Sequence, residues 1–331
     1  MSPDTVPWSV RFRRERQAAW VELEELLARC ERGGPSALGA EKVARLPVLY
    51  RAALSSLGVA RSTVLDDNLR DYLEALCARA YLVVYGPKRR LLDVALAFAT
   101  AGFPAAVRSI AWYVAASAAL LLLGAALAWA MVAADADTFY LFVDSGLAQG
   151  RDPAASTEAL QKTLFDGGEH DGLLDFATFL FTHNSSVGIL VYGLGFVFGM
   201  PVILAMLYNG MMIGAMSALF HERGLGVEWW SWILPHGVTE LTAIVLCGAA
   251  GLAIAQRLAF PGRMPRLQAL AEVGRRMGGV VAGSVVMLML AALVEGVFRQ
   301  IVVHVPTRYT LATAFALLWT VYFVRAGRPR P

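Results

Sequence analysis

The chain has 331 residues, of which 57% are hydrophobic and only 17% charged, with a formal net charge of +3. Its mean hydropathy, +0.54, is well above that of a soluble globule, which excludes a wholly soluble fold. The three cysteines, Cys30, Cys77 and Cys247, have no metal-ligand spacing and read as reduced, so no disulfide framework is expected.

The apolar residues are unevenly spread. Residues 1–108 are charged, and residues 109–325 hold nearly all the long apolar runs. The first apolar span is far from the start, so no cleavable signal peptide is expected. Residues 1–86 read as a cytoplasmic helical domain. Phe12, Trp20, Leu23, Leu27 and Cys30 recur at helical spacing, and Gly33-Gly34-Pro35 ends that helix. A second stripe is Val43, Leu46, Tyr50, Ala53 and Leu57. A third is Leu69, Tyr72, Leu73, Leu76, Ala80 and Val83, capped by Asp66 or Asp67 and stopped at Gly86-Pro87. The cluster Arg11, Arg13, Arg14 and Arg16 reads as a solvated or lipid-facing helix face. It lacks the aromatic interleaving of a nucleic-acid site, and no nucleic-acid partner is expected.

Lys88-Arg89-Arg90 then precede Leu91, Leu92, Val94, Leu96 and Phe98 and lead to Phe103-Pro104. Residues 87–108 therefore read as an interfacial helix with its cations on lipid headgroups. A fourth packed helix is the alternative.

Residues 109–325 read as a transmembrane bundle of about six spans. The first is 110–133. The stretch 176–220 is too long for one helix and divides at Gly199-Met200-Pro201. The remaining spans are 233–255, 278–303 and 309–324. Arg257, Arg263, Arg266, Arg275 and Arg276 fill the loop between the fourth and fifth spans, and Arg325, Arg328 and Arg330 follow the last. The loop 134–175 is acidic, with Asp135, Asp137, Asp144, Asp152, Glu158, Asp166, Glu169 and Asp171 against Arg151 and Lys162. Cations mark the cytoplasmic side, so both termini should be cytoplasmic and this acidic loop external. The segment 176–220 must then start and end outside, either crossing twice or dipping in as a re-entrant pair.

On this topology His183, Asn184, Asn209, His236, Glu240 and Glu295 fall in the outer half of the bundle or near its middle. A charged or polar group in hydrocarbon costs several kcal/mol unless it is partnered or hydrated, so these residues should meet. Three readings follow. The cluster could be a buried structural network, with Gly193, Gly195, Gly210, Gly214, Gly248 and Gly251 admitting close helix approach and Gly237 beside it. It could be a pathway for a proton, ion or small solute. It could be a metal or hydrolytic site, with His236, Glu240 and Glu295 as the candidate ligands. No Walker motif, nucleophile elbow or dinucleotide loop is present, and no catalytic residue is assigned. Trp229, Trp230 and Trp232 read as an interfacial belt.

The order of these features resembles the stage II sporulation protein M family. The similar stretches are Leu49-Tyr50-Arg51, Ala78-Arg79-Ala80 with Tyr85, Phe103-Pro104, His183-Asn184, Asn209-Gly210-x-x-x-Gly214, Pro235-His236-Gly237-x-x-Glu240 and Glu295. The resemblance implies an integral membrane protein. The family's namesake anchors a septal complex containing peptidoglycan hydrolases in endospore formers. The N-terminal helical part is similar to the broader, non-sporulating branch.

The expectation is therefore an all-α polytopic bundle with an N-terminal soluble helical domain, in a bacterial inner (cytoplasmic) membrane. The expected role is a non-enzymatic scaffold for an envelope-associated complex. A transporter or channel-like protein is the alternative and an intramembrane metal-dependent hydrolase the third. Expected partners are the lipid bilayer and other membrane or envelope proteins, with a homo-oligomer left open. No cofactor is expected beyond the candidate metal.

Overall fold

Three segments with apolar residues every third or fourth position fold as helices α1 (Trp8–Gly33), α2 (Gly39–Ser62) and α3 (Asp67–Tyr85) in the computed structural model. The structure describes residues 8–33, 38–62, 67–85, 91–165, 173–298 and 302–328. The expected cap Asp66, the stop Gly86-Pro87 and the basic run Lys88-Arg89-Arg90 lie outside them. The chain divides into two compact units, Met1–Leu91 and Leu92–Pro331.

The first unit buries the predicted stripes in one core: Trp20, Leu23 and Leu27 from α1, Leu46, Ala53 and Leu57 from α2, and Leu69, Leu73, Leu76 and Ala80 from α3. Buried Ser56 accepts hydrogen bonds from Trp20 Nε1 and Arg16 Nη1, each at 3.2 Å, joining α1 to α2. On the surface Arg79 grips Glu31 with two bonds of 3.0 Å, Arg61 meets Glu74 at 2.9 Å and Arg45 pairs with Glu22. Exposed pairs of this kind are screened by solvent and add little, so the apolar core holds the unit together. The Tyr72 hydroxyl donates to Glu24 Oε2 at 3.0 Å.

The second unit is built from α4 (Leu91–Ser109, with a π-helical turn at Phe98–Gly102), α5 (Ala111–Ala134), α6 (Thr157–Phe165), α7 (Leu173–Gly193), α8 (Met200–Glu222), α9 (Gly226–Ala259), α10 (Arg266–Leu293, running into a π-helical turn at Val294–Phe298) and α11 (Val305–Arg325). No strand occurs among the described residues. Five helices are long and apolar enough to cross a membrane: α4, α5, α8, α9 and Arg266–Gly296. This set differs from the expected six. It includes α4, read from sequence as lying on the membrane surface, and leaves out α7 and α11, which have 21 residues each. Both are about 31 Å long at 1.5 Å per residue, matching the hydrocarbon core. Their apolar content is diluted by Thr178, His183, Asn184 and Ser185 in α7 and by Thr307, Arg308 and Thr310 in α11.

Residue contacts fix the helix directions. Gly210 and Gly214 of α8 lie against the backbone of Leu121 and Ala125 of α5, so these helices run parallel. A Cβ at either glycine would collide with a backbone carbonyl, which is why glycine recurs there at i, i+4. Tyr113 and Ser117 of α5 meet Gln256 and Gly248 of α9, an antiparallel pair. His236 with Glu295 and Arg257 with Glu272 make α9 and α10 antiparallel. Gly188 and Gly195 of the α7 segment meet Cys247 and Gly251, and Val227 and Thr239 bond to Tyr309 and Trp319, so α7 and α11 run with α9. Hence α5, α8 and α10 point one way and α7, α9 and α11 the other.

The segment 176–220 therefore traverses the bundle and returns. The turn is made at Gly199, whose φ of +84° suits glycine and whose α-carbon is close to Ala255, near the end of α9. Helix α4 ends at this same level: Phe103 packs beneath Gly283, and Arg108 Nη1 donates at 2.8 Å to the carbonyls of Phe323 and Ala326 at the end of α11. A cation there also meets the negative end of the helix dipole.

At the opposite end the acidic segment is a folded cap rather than an open loop. Two short helices, Phe139–Phe142 and Ser145–Ala148, and α6 bury Phe139, Phe142, Leu160 and Leu164 against Phe220, Trp229 and Trp232. The expected acidic residues Asp166, Glu169 and Asp171 lie outside the described residues. Two arginines tie the cap down. Arg223 Nη2 donates to the Pro153 carbonyl at 2.6 Å. Arg308 of α11, only 2% exposed, donates from Nε to the Val302 carbonyl at 2.7 Å and from both terminal nitrogens to the Leu164 carbonyl at 3.2 Å.

Candidate functional site

Helix α9 places Trp229, Trp232, His236 and Glu240 on one face, since residues three and four apart in a helix lie above one another. Glu295 meets this face from the π-helical turn at the end of α10. His236 Nε2 is 3.7 Å from Glu295 Oε2, and both residues are buried. Glu240 is half-buried one turn along α9, and single donor atoms of the three residues all lie within 4.8 Å of one another. The Trp232 ring stands edge-on to the His236 ring, with centroids 6.0 Å apart and planes at 84°. Trp232 itself stacks on Trp229, which stacks on Phe220 and donates from Nε1 to Ser217 Oγ at 3.0 Å. The imidazole is thereby held by a braced aromatic column.

These three side chains face a cavity of about 370 Å³. Its walls come from five parts of the chain. The cap supplies Val143, Gly146, Gln149 and Arg151. Helix α7 supplies Phe179, Leu180, His183 and Asn184, helix α8 supplies Met212, Ile213 and Met216, and α9 and α10 supply the residues just described with Ile233. His183 is exposed and stacks on Phe179 at 6.0 Å. A second hollow, lined by His221, Gly224, Gly226, Val227, Trp230 and Tyr309, has no carboxylate on its wall.

Of the residues singled out in the sequence, His183, Asn184, His236, Glu240 and Glu295 share this cavity. Asn209 does not line it. Its amide Nδ2 donates to the Ala205 carbonyl at 2.8 Å on its own helix, one turn below Met212 and Ile213. Gly210 and Gly214 are helix contacts, as described. Gly237 is buried, but a Cβ there would meet Ile233 Cγ2 of its own helix at 2.9 Å and no neighbouring backbone, so it admits no close helix. The tryptophan belt also needs correction. Trp229 and Trp232 are buried and form the column above, and Trp230 alone of the three is exposed. The helical spacing from Trp229 to Glu240 held that information.

Arg151 carries no site signal in the sequence. It reads as one of two cations in an acidic loop, but it lines the cavity with its guanidinium 5.8 Å above the Trp232 ring and its Nε donating to the Ala148 carbonyl at 3.0 Å. The cavity thus combines two carboxylates, two imidazoles, two amides and a guanidinium with aromatic and methionine walls. That mixture can hold a small polar solute or a cation.

Comparison with known proteins agrees with the membrane reading. Residues 10–86 match a family model described as Domain of unknown function (DUF8413). No curated protein and no solved structure matches. A family model described as Stage II sporulation protein M matches residues 100–298 and takes in every polar residue of the cavity wall named from sequence. The stretches Leu49-Tyr50-Arg51 and Ala78-Arg79-Ala80 fall instead within the N-terminal match. With well over half its length under one model, this chain belongs to the stage II sporulation protein M family.

Proposed function

We propose that this membrane protein binds a small polar or cationic solute in the outer half of its bundle, as a transporter or channel-like protein does. One observation carries the reading: the cavity of about 370 Å³ reaches His236, Glu240 and Glu295. A purely structural network gains nothing from a cavity, because polar groups inside a bundle are cheapest when packed directly on one another. A space this large, lined by several polar groups, accommodates water or a small ligand.

The orientation belongs to the same proposal. The cap 134–165 faces outward, and the end carrying Arg108, Arg257, Arg266, Arg275, Arg276 and Arg325 faces the cytoplasm of a bacterial inner membrane, following the distribution of Lys and Arg. Asn184→Cys and Met212→Cys, introduced singly after replacing Cys30, Cys77 and Cys247, should react with a small membrane-impermeant thiol reagent added from the cap side. Silence of both positions in folded protein would refute the cavity reading.

Scaffolding of an envelope-associated complex is the second reading. It is favoured by the N-terminal unit, whose core is complete within itself and which has a family match of its own. Such a module can hold a cytoplasmic partner independently of the bundle. Loss of complementation on deleting residues 1–86, with the bundle still inserted and cavity labelling unchanged, would support it.

A further inference from the structure

We propose that His236, Glu240 and Glu295 bind one divalent transition-metal ion of the Zn²⁺ class, an inference that rests on the cavity reading above. The donors are one imidazole nitrogen and two carboxylates. A tetrahedral ion with bonds of about 2.0–2.2 Å holds its ligand atoms about 3.3–3.6 Å apart. His236 Nε2 and Glu295 Oε2 stand at 3.7 Å, and all three donors fall within 4.8 Å. Small side-chain rotations therefore close the site. His236 and Glu240 are separated by one helical turn, the spacing at which two side chains of one helix reach a common ion.

Three further features point to a built site. Glu295 is carried on a π-helical turn, an irregularity that re-aims one side chain and is frequent at functional sites. The His236 ring packs edge-on against Trp232, which restricts its rotation. The cluster opens onto the cavity beside His183 and Asn184, which leaves room for a water or solute at a fourth coordination position.

Two carboxylates close together in a low-dielectric site repel, and a divalent ion held between them offsets both charges. An imidazole with two carboxylates favours Zn²⁺, Mn²⁺ or Fe²⁺ over Mg²⁺ and Ca²⁺, which prefer all-oxygen sites.

The test uses tag-free, full-length protein in detergent, stripped with a chelator and titrated with Zn²⁺ alone against a chromophoric competitor. One ion per chain is expected. His236→Gln and Glu295→Gln should each weaken binding at least about ten-fold, and Asn209→Ala should leave it unchanged. Absence of stoichiometric Zn²⁺, or full binding in both glutamine variants, overturns the proposal; a network held by shared protons gives the first of these. If the variants do not fold, the wild type loaded with Cu²⁺ should show one coordinated imidazole nitrogen by electron paramagnetic resonance, and none would overturn it. Zn²⁺ absent with cavity cysteines reactive removes the metal and leaves the cavity reading standing. Zn²⁺ bound with those cysteines silent supports a closed metal site and removes the solute-binding reading.

Discussion

His236 of α9 and Glu295 of the π-helical turn after α10 face each other at 3.7 Å inside a bundle, and Glu240 stands one turn away. Losing a carboxylate here should cost binding more than stability. Glu240→Leu removes a half-buried carboxylate close to that of Glu295 and is expected to unfold at or near the wild-type temperature. Glu240→Gln should unfold near the wild-type temperature and yet lose solute or metal binding. Thermal unfolding in detergent, run beside the Zn²⁺ titration, separates the two effects.

The contact of α5 with α8 depends on missing side chains. Gly210→Ala and Gly214→Ala each push a methyl into the backbone of Leu121 or Ala125. Overpacking of this kind costs about 1–3 kcal/mol. Gly193→Ala, where a Cβ meets nothing within 4 Å, is the matched control and should be nearly neutral. Melting curves of the three variants check the ranking.

Topology can be read with two cysteines. Glu158 lies on α6 of the cap, and Arg266 begins α10 at the other end of the bundle. Glu158→Cys should be labelled from outside the cell and Arg266→Cys from the cytoplasm. Labelling of both from one side would contradict the alternating helix directions.

The N-terminal unit should fold by itself. A fragment of residues 1–86 is expected to give a helical circular dichroism spectrum, because its core closes without the bundle. Its alkaline stability reports on Tyr72, whose pKa is pushed from the ordinary 10.0 up to about 12, first by burial and then by the hydrogen bond to Glu24. A group raised in the folded state contributes fully below its unfolded pKa and loses that contribution as pH rises through the folded value. The fragment should therefore weaken between pH 10 and about 12. Tyr72→Phe should flatten that slope, and a slope unchanged by it would assign the loss to another group.

Helices were legible wherever one period ran uninterrupted. Trp20, Leu23 and Leu27, like Leu69, Leu73 and Leu76, repeat cleanly and are buried as the spacing requires. A shared level in a bilayer restricts partners more than sequence distance does; of the residues expected together on that ground, His236, Glu240 and Glu295 converge, while His183 lines the cavity but is exposed rather than buried. Depth did not identify Asn209's partner, since an amide can return to its own helix at Ala205. Nor did it find Arg151, since a cation in a polar loop has the same sequence signature whether it is solvated or folded over Trp232. Trp229 and Trp232 fit the composition rule for interfaces, and only helical phase separates them from exposed Trp230. The π-helical turn under Glu295 has no residue signature, so the direction of that side chain had to come from structure.

Arg308 links events at the two ends of the sequence's membrane half. Its guanidinium joins the last helix to the carbonyl of Leu164, and Leu164 shares a core with the cap residues Phe139, Phe142 and Val143 that lie over the cavity. Swinging the cap aside would take the Leu164 carbonyl from a buried cation that keeps Val302, and hydrogen bonds to a charged group are costly to break. If the cavity takes up a solute as proposed, entry beside exposed His183 and Phe179 leaves the cap in place, with the cap as a fixed lintel and α7 as the doorpost.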